Sequence, residues 1–417
     1  MRLIIIGILI LQCLLFSSRG YSSRLAGMGS LSLAVEDESN ELNLYDFGFN
    51  VAGLIEDDSN YSLIEGEGSY YQEKEEGDDR VRFFPSKGIG NETTYRTSKM
   101  AFSLEPYYRD WSLQEVYSTS NKSYERNFKF PEFSLSGAYK LPWFTIGEEF
   151  EMSWDYEKKN DSINYKKNDD IKKIITGISS NPIKIIRGNL ILGFTFAYQI
   201  QEMQSSTGIS KTEGIQAIYS LEDRLKVGIN SGITQMTSSG WLKNVDIRGV
   251  YSIKSGENKI NIGSEFDFTA GNNAYMSYEY KTIEYRGGIF YSYAQKVGLG
   301  IEFLVDKNPF GMNQENEKDW CTEILVGGEF NIKKYFYLRS GYNMENIFQA
   351  SPSLEVIQPI ESYTAGLGIK MRNFKLDIAY KFGSRNFYDT YYSSNGYYLN
   401  STFNTIRLAA TFYPWKK

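Results

Sequence analysis

Residues 190–201 of this chain read Leu190-Ile191-Leu192-Gly193-Phe194-Thr195-Phe196-Ala197-Tyr198-Gln199-Ile200-Gln201. Every second side chain of this segment is large and apolar, and the positions between them become small or polar toward its end. A period of two is that of a β-strand, and it gives this segment one apolar face. Because a tilted strand of roughly 9–11 residues crosses a bilayer, the segment predicts a membrane-crossing strand.

The same alternation recurs along the chain, most clearly at residues 260–269 and 374–383. Further candidate segments lie near residues 61–72, 98–107, 111–119, 132–140, 143–155, 212–222, 224–236, 243–254, 273–283, 285–294, 296–305, 321–332, 335–344, 361–371 and 402–413, about eighteen in all. Short turns separate several of them, and longer polar loops are expected at roughly 156–170, 306–319, 345–360 and 384–401. This pattern predicts an all-β chain that forms a transmembrane antiparallel β-barrel.

A four-residue pattern, Gly-x-Glu-Phe, supports the strand register and occurs at 147–150, 263–266, 300–303 and 327–330. We interpret its Phe as facing lipid and its Glu as facing the interior of the barrel, the lumen. Continued alternation places the following charged residues in the lumen: Glu149, Glu265, Asp267, Arg286, Glu302, Glu329, Arg339, Lys370, Asp377 and Lys381. We expect cross-strand ion pairs among them, and the alternative is a polar wall that water solvates.

The N-terminus has the features of a secretory signal. Met1-Arg2 is a short basic start, residues 3–16 are mainly apolar, and small residues occur at Ser18 and Gly20. The apolar run is shorter than the roughly 20 residues that a spanning helix needs. We therefore divide the chain into a signal at residues 1–20, an N-terminal plug or hatch segment at 21–58 and a barrel at 59–417, with a charged insertion at about 72–98.

Composition excludes several functions. The chain has no histidine, so it can contain neither a Ser-His-Asp triad nor a His-ligated zinc, and we predict that it is not an enzyme. No motif for a cofactor or a metal is present, and none is expected. The formal net charge of −6 becomes −8 once Arg2 and Arg19 are removed with the signal, which disfavours nucleic acid as a partner. Cys321 would then be the only cysteine, and we expect it to be a packed strand residue.

Residues 24–38, with Gly27-Met28-Gly29 and Asp37, and residues 49–54, with Asn50 and Gly53, resemble the opening of FadL-like and PorV-like outer-membrane barrels. Residues 337–342, 366–370 and 373–380 are similar to the closing hairpins of PorV-like members. The resemblance implies a barrel of about fourteen strands, whereas the alternation allows 16–18. It also implies that Gly27, Met28, Gly29, Asp37, Asn50 and Gly53 belong to a hatch inside the lumen. Val51 stands where those families have proline, so the kink that proline would impose is not expected here.

Two functions follow from this resemblance. The first is a passive outer-membrane channel for hydrophobic or amphipathic small molecules, in contact with outer-membrane lipid. The second is a PorV-like scaffold or shuttle in protein secretion, with secreted or periplasmic proteins as partners. Both place the protein in the outer membrane of a Gram-negative-type bacterium. The sequence leaves the oligomeric state and the cargo open.

We expect residues 1–20 to be absent from the mature protein, because a basic start, an apolar core and small residues precede the first strand. Intact-mass measurement of protein extracted from the membrane fraction tests this. A mass that includes Met1, or protein recovered in the soluble periplasmic fraction, would contradict it.

Overall fold

The computed structural model of the chain describes Met28, Leu44, residues 50–55 and most of residues 60–413. Within that last range it leaves out residues 76–79, 118–122, 160–165, 186, 204–205, 223, 237–239, 274–277, 295, 308–319, 334, 349–353, 356–359 and 390–396. Three of the predicted hatch residues, Gly27, Gly29 and Asp37, lie outside the described residues.

Apart from a short 3₁₀ turn at Val51–Ile55, the described elements are strands. They are β1 (Tyr61–Glu75), β2 (Arg80–Arg96), β3 (Met100–Tyr117), β4 (Ser123–Lys140), β5 (Phe144–Lys159), β6 (Lys166–Ser180), β7 (Ile183–Ile185), β8 (Gly188–Met203), β9 (Ser206–Leu221), β10 (Leu225–Met236), β11 (Trp241–Ser255), β12 (Asn258–Asn273), β13 (Tyr278–Tyr293), β14 (Val297–Lys307), β15 (Trp320–Lys333), β16 (Phe336–Phe348), β17 (Leu354–Glu355), β18 (Ile360–Lys370), β19 (Phe374–Asp389) and β20 (Tyr397–Phe412).

The strands pair antiparallel with their neighbours in the chain, and β20 pairs with β1, which closes the sheet into a barrel. Two short strands do not add to the circumference. β7 continues β6 along β8, and β17 continues β18 along β19. The described barrel therefore has eighteen strands, and the expected number of about fourteen is wrong. That number came from a resemblance confined to the two ends of the chain, which does not constrain the strands between them.

The sequence analysis also found eighteen alternating segments, but the agreement with eighteen strands is accidental. Two strands were missed, and two others were each counted twice. The segment 72–98, expected as an insertion, contains β2, and the loop expected at 156–170 contains the start of β6. Conversely, two pairs of predicted segments merge, because β3 covers 98–107 with 111–119 and β13 covers 273–283 with 285–294. Charged residues at the outer ends of β2 and β6 hide the alternation there.

The two faces of the barrel differ in chemistry. Outward-facing side chains include Ile174, Ile178, Phe194, Phe196 and Phe266, all exposed. The inward positions beside them are small or polar, among them Gly177, Thr195 and Glu265. An exposed apolar belt around a closed sheet fits a transmembrane barrel, in which lipid covers the outer face. Among the described residues, no helix is long and apolar enough to cross a membrane.

The two ends of the barrel are also unlike. At one end the strands are joined by brief connections, such as those after Arg96, Lys140 and Lys370; we call this the turn end. The opposite end, the loop end, carries the longer connections, including residues 308–319 and 390–396. β3 and β4, at 18 residues each, exceed the roughly 9–11 residues that a crossing needs, so they extend beyond the bilayer.

The assigned faces predict different effects for two adjacent substitutions in β12. Phe266→Glu places a charge in lipid and should prevent or strongly reduce folding of the barrel, because charge on the lipid face is costly. Glu265→Gln changes only the lumen and should leave folding intact. Heat-modifiable migration on gels, in lipid or detergent, reports folding of both variants. If Glu265→Gln abolished folding and Phe266→Glu did not, the two faces would be exchanged.

Candidate functional site: the lumen and its plug

Residues 50–55 lie inside the barrel at the turn end and form the longest described part of the plug. Leu54 packs against Ala101 and Ala138, each within a few residues of a short turn. Arg96 Nε donates a 2.6 Å hydrogen bond to the carbonyl oxygen of Leu54. Val51 packs against Ile175 and Ala197 on β6 and β8. Inward contacts on the strands from β2 to β8 therefore hold this segment against one side of the lumen.

Asn50 fixes the plug to the barrel wall through its side-chain amide, which is fully buried. Its Nδ2 carries two hydrogens and lies within hydrogen-bonding distance of three acceptors, which are the carbonyl oxygens of Ile178 and Phe194, both at 3.2 Å, and Gln216 Oε1 at 3.1 Å. Its Oδ1 accepts from the Ala52 backbone N–H at 3.1 Å. A carbonyl oxygen has two lone pairs, so wall carbonyls can accept a bond from the plug in addition to their strand partner.

Gln216 continues this network along the wall. Its Nε2 donates to Asn230 Oδ1 at 3.3 Å, and its Oε1 also accepts from Thr195 Oγ1 at 3.3 Å. Gln216 is 1% exposed. Because every polar group lost from such a buried network leaves a partner without its bond, we expect each to contribute about 1–3 kcal/mol to plug docking.

Three glycines make room for the plug on adjacent strands. A Cβ atom at Gly147 would lie 2.5 Å from the Val51 carbonyl carbon, and one at Gly177 would approach the Asn50 side-chain oxygen even more closely. A Cβ at Gly193 would lie 2.6 Å from Asn50 Nδ2. The alternation in the sequence places these glycines on the inner face, but it does not indicate that they meet a segment from the N-terminus.

Two other predicted hatch residues, Met28 and Gly53, are also among the described residues. Met28 is fully buried, and Gly53 is buried, with its N–H donating to the Asn50 carbonyl oxygen at 2.8 Å.

Three of the ten predicted lumen residues form one ion-paired cluster. Arg339 Nε lies 2.6 Å from Glu329 Oε2, and Arg339 Nη1 lies 2.5 Å from Asp377 Oδ1. The Arg339 side chain is 3% exposed and Asp377 4%, so water screens this pair poorly. Lys375 Nζ adds a second cation 3.5 Å from Asp377 Oδ2. This cluster joins the inner faces of β15, β16 and β19.

The remaining predicted lumen residues lie at other positions of the barrel wall. Glu149 is buried and accepts from Ser134 Oγ at 3.2 Å, Asp267 accepts from Thr269 Oγ1 at 3.0 Å, and Glu302 is 1% exposed. Glu265 lies opposite Arg286 in the register, and Arg286 Nη2 lies 3.3 Å from Glu284 Oε1. Lys381 Nζ lies 5.8 Å from the centre of the Phe403 ring, and Lys370 is exposed at the turn end.

Cys321 is buried in β15, with its Sγ 3.5 Å from Glu345 Oε1. Among the described residues, no group of three or more His, Cys, Asp or Glu side chains is placed to hold a metal ion.

Aromatic side chains line the lumen nearer the loop end, on the inner faces of β1 to β4. The rings of Trp111 and Phe128 stack with centroids 4.0 Å apart and an interplanar angle of 12°. Tyr71 and Phe84 form a second pair at 5.5 Å. Sequence reasoning did not single out these residues. The alternation in β3 and β4 could have assigned them to the inner face, but only the register brings them together.

The glycine contacts predict how the plug can be released. Gly177→Val would place the new side chain where Asn50 lies. Because valine is well tolerated in a strand, the barrel should still fold while the plug detaches. Single-channel conductance in planar bilayers should then rise several-fold. Gly137→Val, on the outer face of β4 two strands away, is the control, because the nearest atom to a Cβ there is 3.8 Å away. Equal conductance of both variants and the parent protein would contradict this docking.

No protein-family model and no curated protein matches the chain. Among solved structures it is similar to the Pseudomonas putida toluene transporter TodX, with 9% identity over 96% of this chain and 100% of that one and a TM-score of 0.46. It is also similar to the CymD monoaromatic hydrocarbon channel, with 12% identity over 94% and 97% of the two chains and a TM-score of 0.41. A Pseudomonas aeruginosa FadL homologue has 10% identity over 94% and 98%, with a TM-score of 0.43. The FadL-like resemblance thus has counterparts among solved structures, whereas these matches give no specific support to PorV-like proteins.

Proposed function

We propose that this protein is an outer-membrane channel for small apolar or amphipathic molecules. The observation that carries the proposal is the aromatic wall of the lumen, made by the Trp111–Phe128 and Tyr71–Phe84 pairs. A pore that only conducts fully hydrated ions does not need such a wall, because these ions keep their water. An apolar solute, in contrast, loses unfavourable contact with water when it packs against these rings.

The plug gives the second part of the mechanism. It lies at the turn end, whereas the aromatic wall lies toward the loop end, so a solute that enters from the loops meets the rings before the plug. Short turns of outer-membrane barrels face the periplasm, which makes the plug a barrier to free exchange on that side. We infer that aromatic contacts concentrate the solute in the lumen and that passage past the plug sets the rate.

The scaffold or shuttle function has no comparable support in the described residues. The long loops expected at residues 345–360 and 384–401 would have to supply its binding surface, and residues 349–353, 356–359 and 390–396 lie outside the part of the chain that the structure describes. The signal at residues 1–20 and the hatch as a whole remain part of this proposal, because the structure describes only Met28, Leu44 and residues 50–55 of the first 58 residues.

Uptake into vesicles that carry lipopolysaccharide in the outer leaflet tests the proposed function, since that leaflet slows apolar solutes. The protein should accelerate entry of toluene several-fold over protein-free vesicles and leave entry of glucose nearly unchanged. Trp111→Ala should reduce the toluene effect because it removes half of a stacked pair, whereas Trp143→Ala, an exposed residue at the turn end, is the control. Fast glucose entry without an effect on toluene would indicate an aqueous porin instead.

A further inference from the structure

Arg109 projects into the lumen from β3, two residues from Trp111 on the same face of the strand. It is partly buried, and within the described residues its guanidinium makes neither a hydrogen bond nor an ion pair. Most other arginines of this wall are paired, as Arg82 is with Glu115 at 3.1 Å. A guanidinium that has five donors and no protein acceptor is available to bind an anion.

The register explains why Arg109 has no carboxylate partner. Arg407, Glu67, Gly88 and Arg109 lie opposite one another on the adjacent strands β20, β1, β2 and β3. Glu67 Oε2 is 2.8 Å from Arg407 Nε, so the carboxylate of this row is already paired. Gly88 has no side chain to offer, and the row therefore has one positive charge in excess. The next inward carboxylate on β1, Glu65, lies one inward position closer to the turn end.

Tyr107 supplies a second polar group at this place. Its ring lies across the two glycines of β2, since a Cβ at Gly88 would be 2.6 Å from the Tyr107 hydroxyl oxygen and one at Gly90 would be 2.7 Å from a ring carbon. Because Gly88 is opposite Arg109, the Tyr107 hydroxyl lies in the same row of the sheet as Arg109. Among the described residues this hydroxyl has no hydrogen-bond partner.

The apolar part of the site lies directly above, toward the loop end. Trp111 is the next inward residue after Arg109, and it stacks on Phe128 of β4. Residues two apart on a strand are separated by roughly 6.6 Å, which is about the length of a single aromatic ring with one carboxylate attached. An aromatic ring beside the stacked pair gains edge or face contacts in addition to the burial of its surface.

We propose that Arg109 and the Tyr107 hydroxyl bind the carboxylate of a small aromatic acid while the ring of that acid packs against Trp111 and Phe128. The proposal rests on the proposed function, of which it names one solute class. The carboxylate accepts from the guanidinium in a bidentate arrangement, and a charged pair of this kind is stronger than a neutral hydrogen bond. A long aliphatic acid would bind Arg109 through its carboxylate but would have no ring to pack against the aromatic wall. A neutral aromatic molecule would pack against the wall but would have no carboxylate for Arg109.

Calorimetry of the full chain in detergent tests the site. It measures the equilibrium binding of three probes: benzoate, benzyl alcohol and octanoate. The parent protein should bind benzoate more tightly than either of the other two. Arg109→Gln should weaken benzoate binding about tenfold or more and leave benzyl alcohol unchanged, because only the first probe uses the charge. Lys87→Gln removes a cation from the outer face of the adjacent strand, where Lys87 is exposed and lies 3.3 Å from Asp110, and should change neither probe.

Two further variants separate binding from folding. Arg109→Lys keeps the charge but loses the bidentate geometry, so it should fold like the parent and bind benzoate with intermediate affinity. Tyr107→Phe should weaken benzoate binding by a smaller factor than Arg109→Gln. The proposal is overturned if benzoate binds the folded Arg109→Gln and Arg109→Lys variants as tightly as the parent, or if octanoate binds the parent as tightly as benzoate. Failure of the proposed function looks different, since then neither benzoate nor benzyl alcohol binds the parent protein.

Discussion

The rest of the structure depends on the closure of the sheet between β1 and β20. In hydrocarbon an unpaired backbone N–H or C=O has no water to bond, so a sheet that crosses a membrane cannot keep a free edge. Here the first and last strands are paired from Ser62 with Phe412 to Glu75 with Leu399. Once the ring is closed, the side chains divide into two sets by alternation alone. The apolar set covers the outside and everything that could recognise a solute is confined to the inside.

A closed wall offers few points at which an internal segment can be held, because its backbone groups are already bonded along the strands. In this protein, glycines on the inner face leave room for the segment. The buried side-chain amide of Asn50 then bonds to the second lone pairs of two wall carbonyl oxygens and to the side chain of Gln216. The same device recurs where Tyr107 lies over Gly88 and Gly90. In both places a glycine on the wall leaves space that a polar side chain from another part of the chain occupies.

The sequence was informative about periodicity and much less about register. Segments such as 190–201 revealed their two faces because apolar residues alternate without interruption, and Glu265 and Phe266 were assigned to opposite faces for the same reason. β2 and β6 were missed because their charged outer ends extend above the bilayer, where no apolar face is needed. Asn50 came from a resemblance, but the wall residues that its side chain contacts are at least 128 positions away. Arg109 was not predicted as a site residue, because its significance depends on the absence of a free carboxylate opposite it on β2, β1 and β20.

The pairing of β1 with β20 also has a kinetic consequence. Arg407 and Glu67 form an ion pair across 340 residues of chain, so the ring cannot close until the last strand has been made and delivered. Contacts of such sequence separation are slow to form, because the entropy of closing the loop must be lost before they stabilise anything. Until then two strand edges are open to pairing with other chains. Assembly of this protein therefore requires that its ends be protected from aggregation during the interval between export and closure.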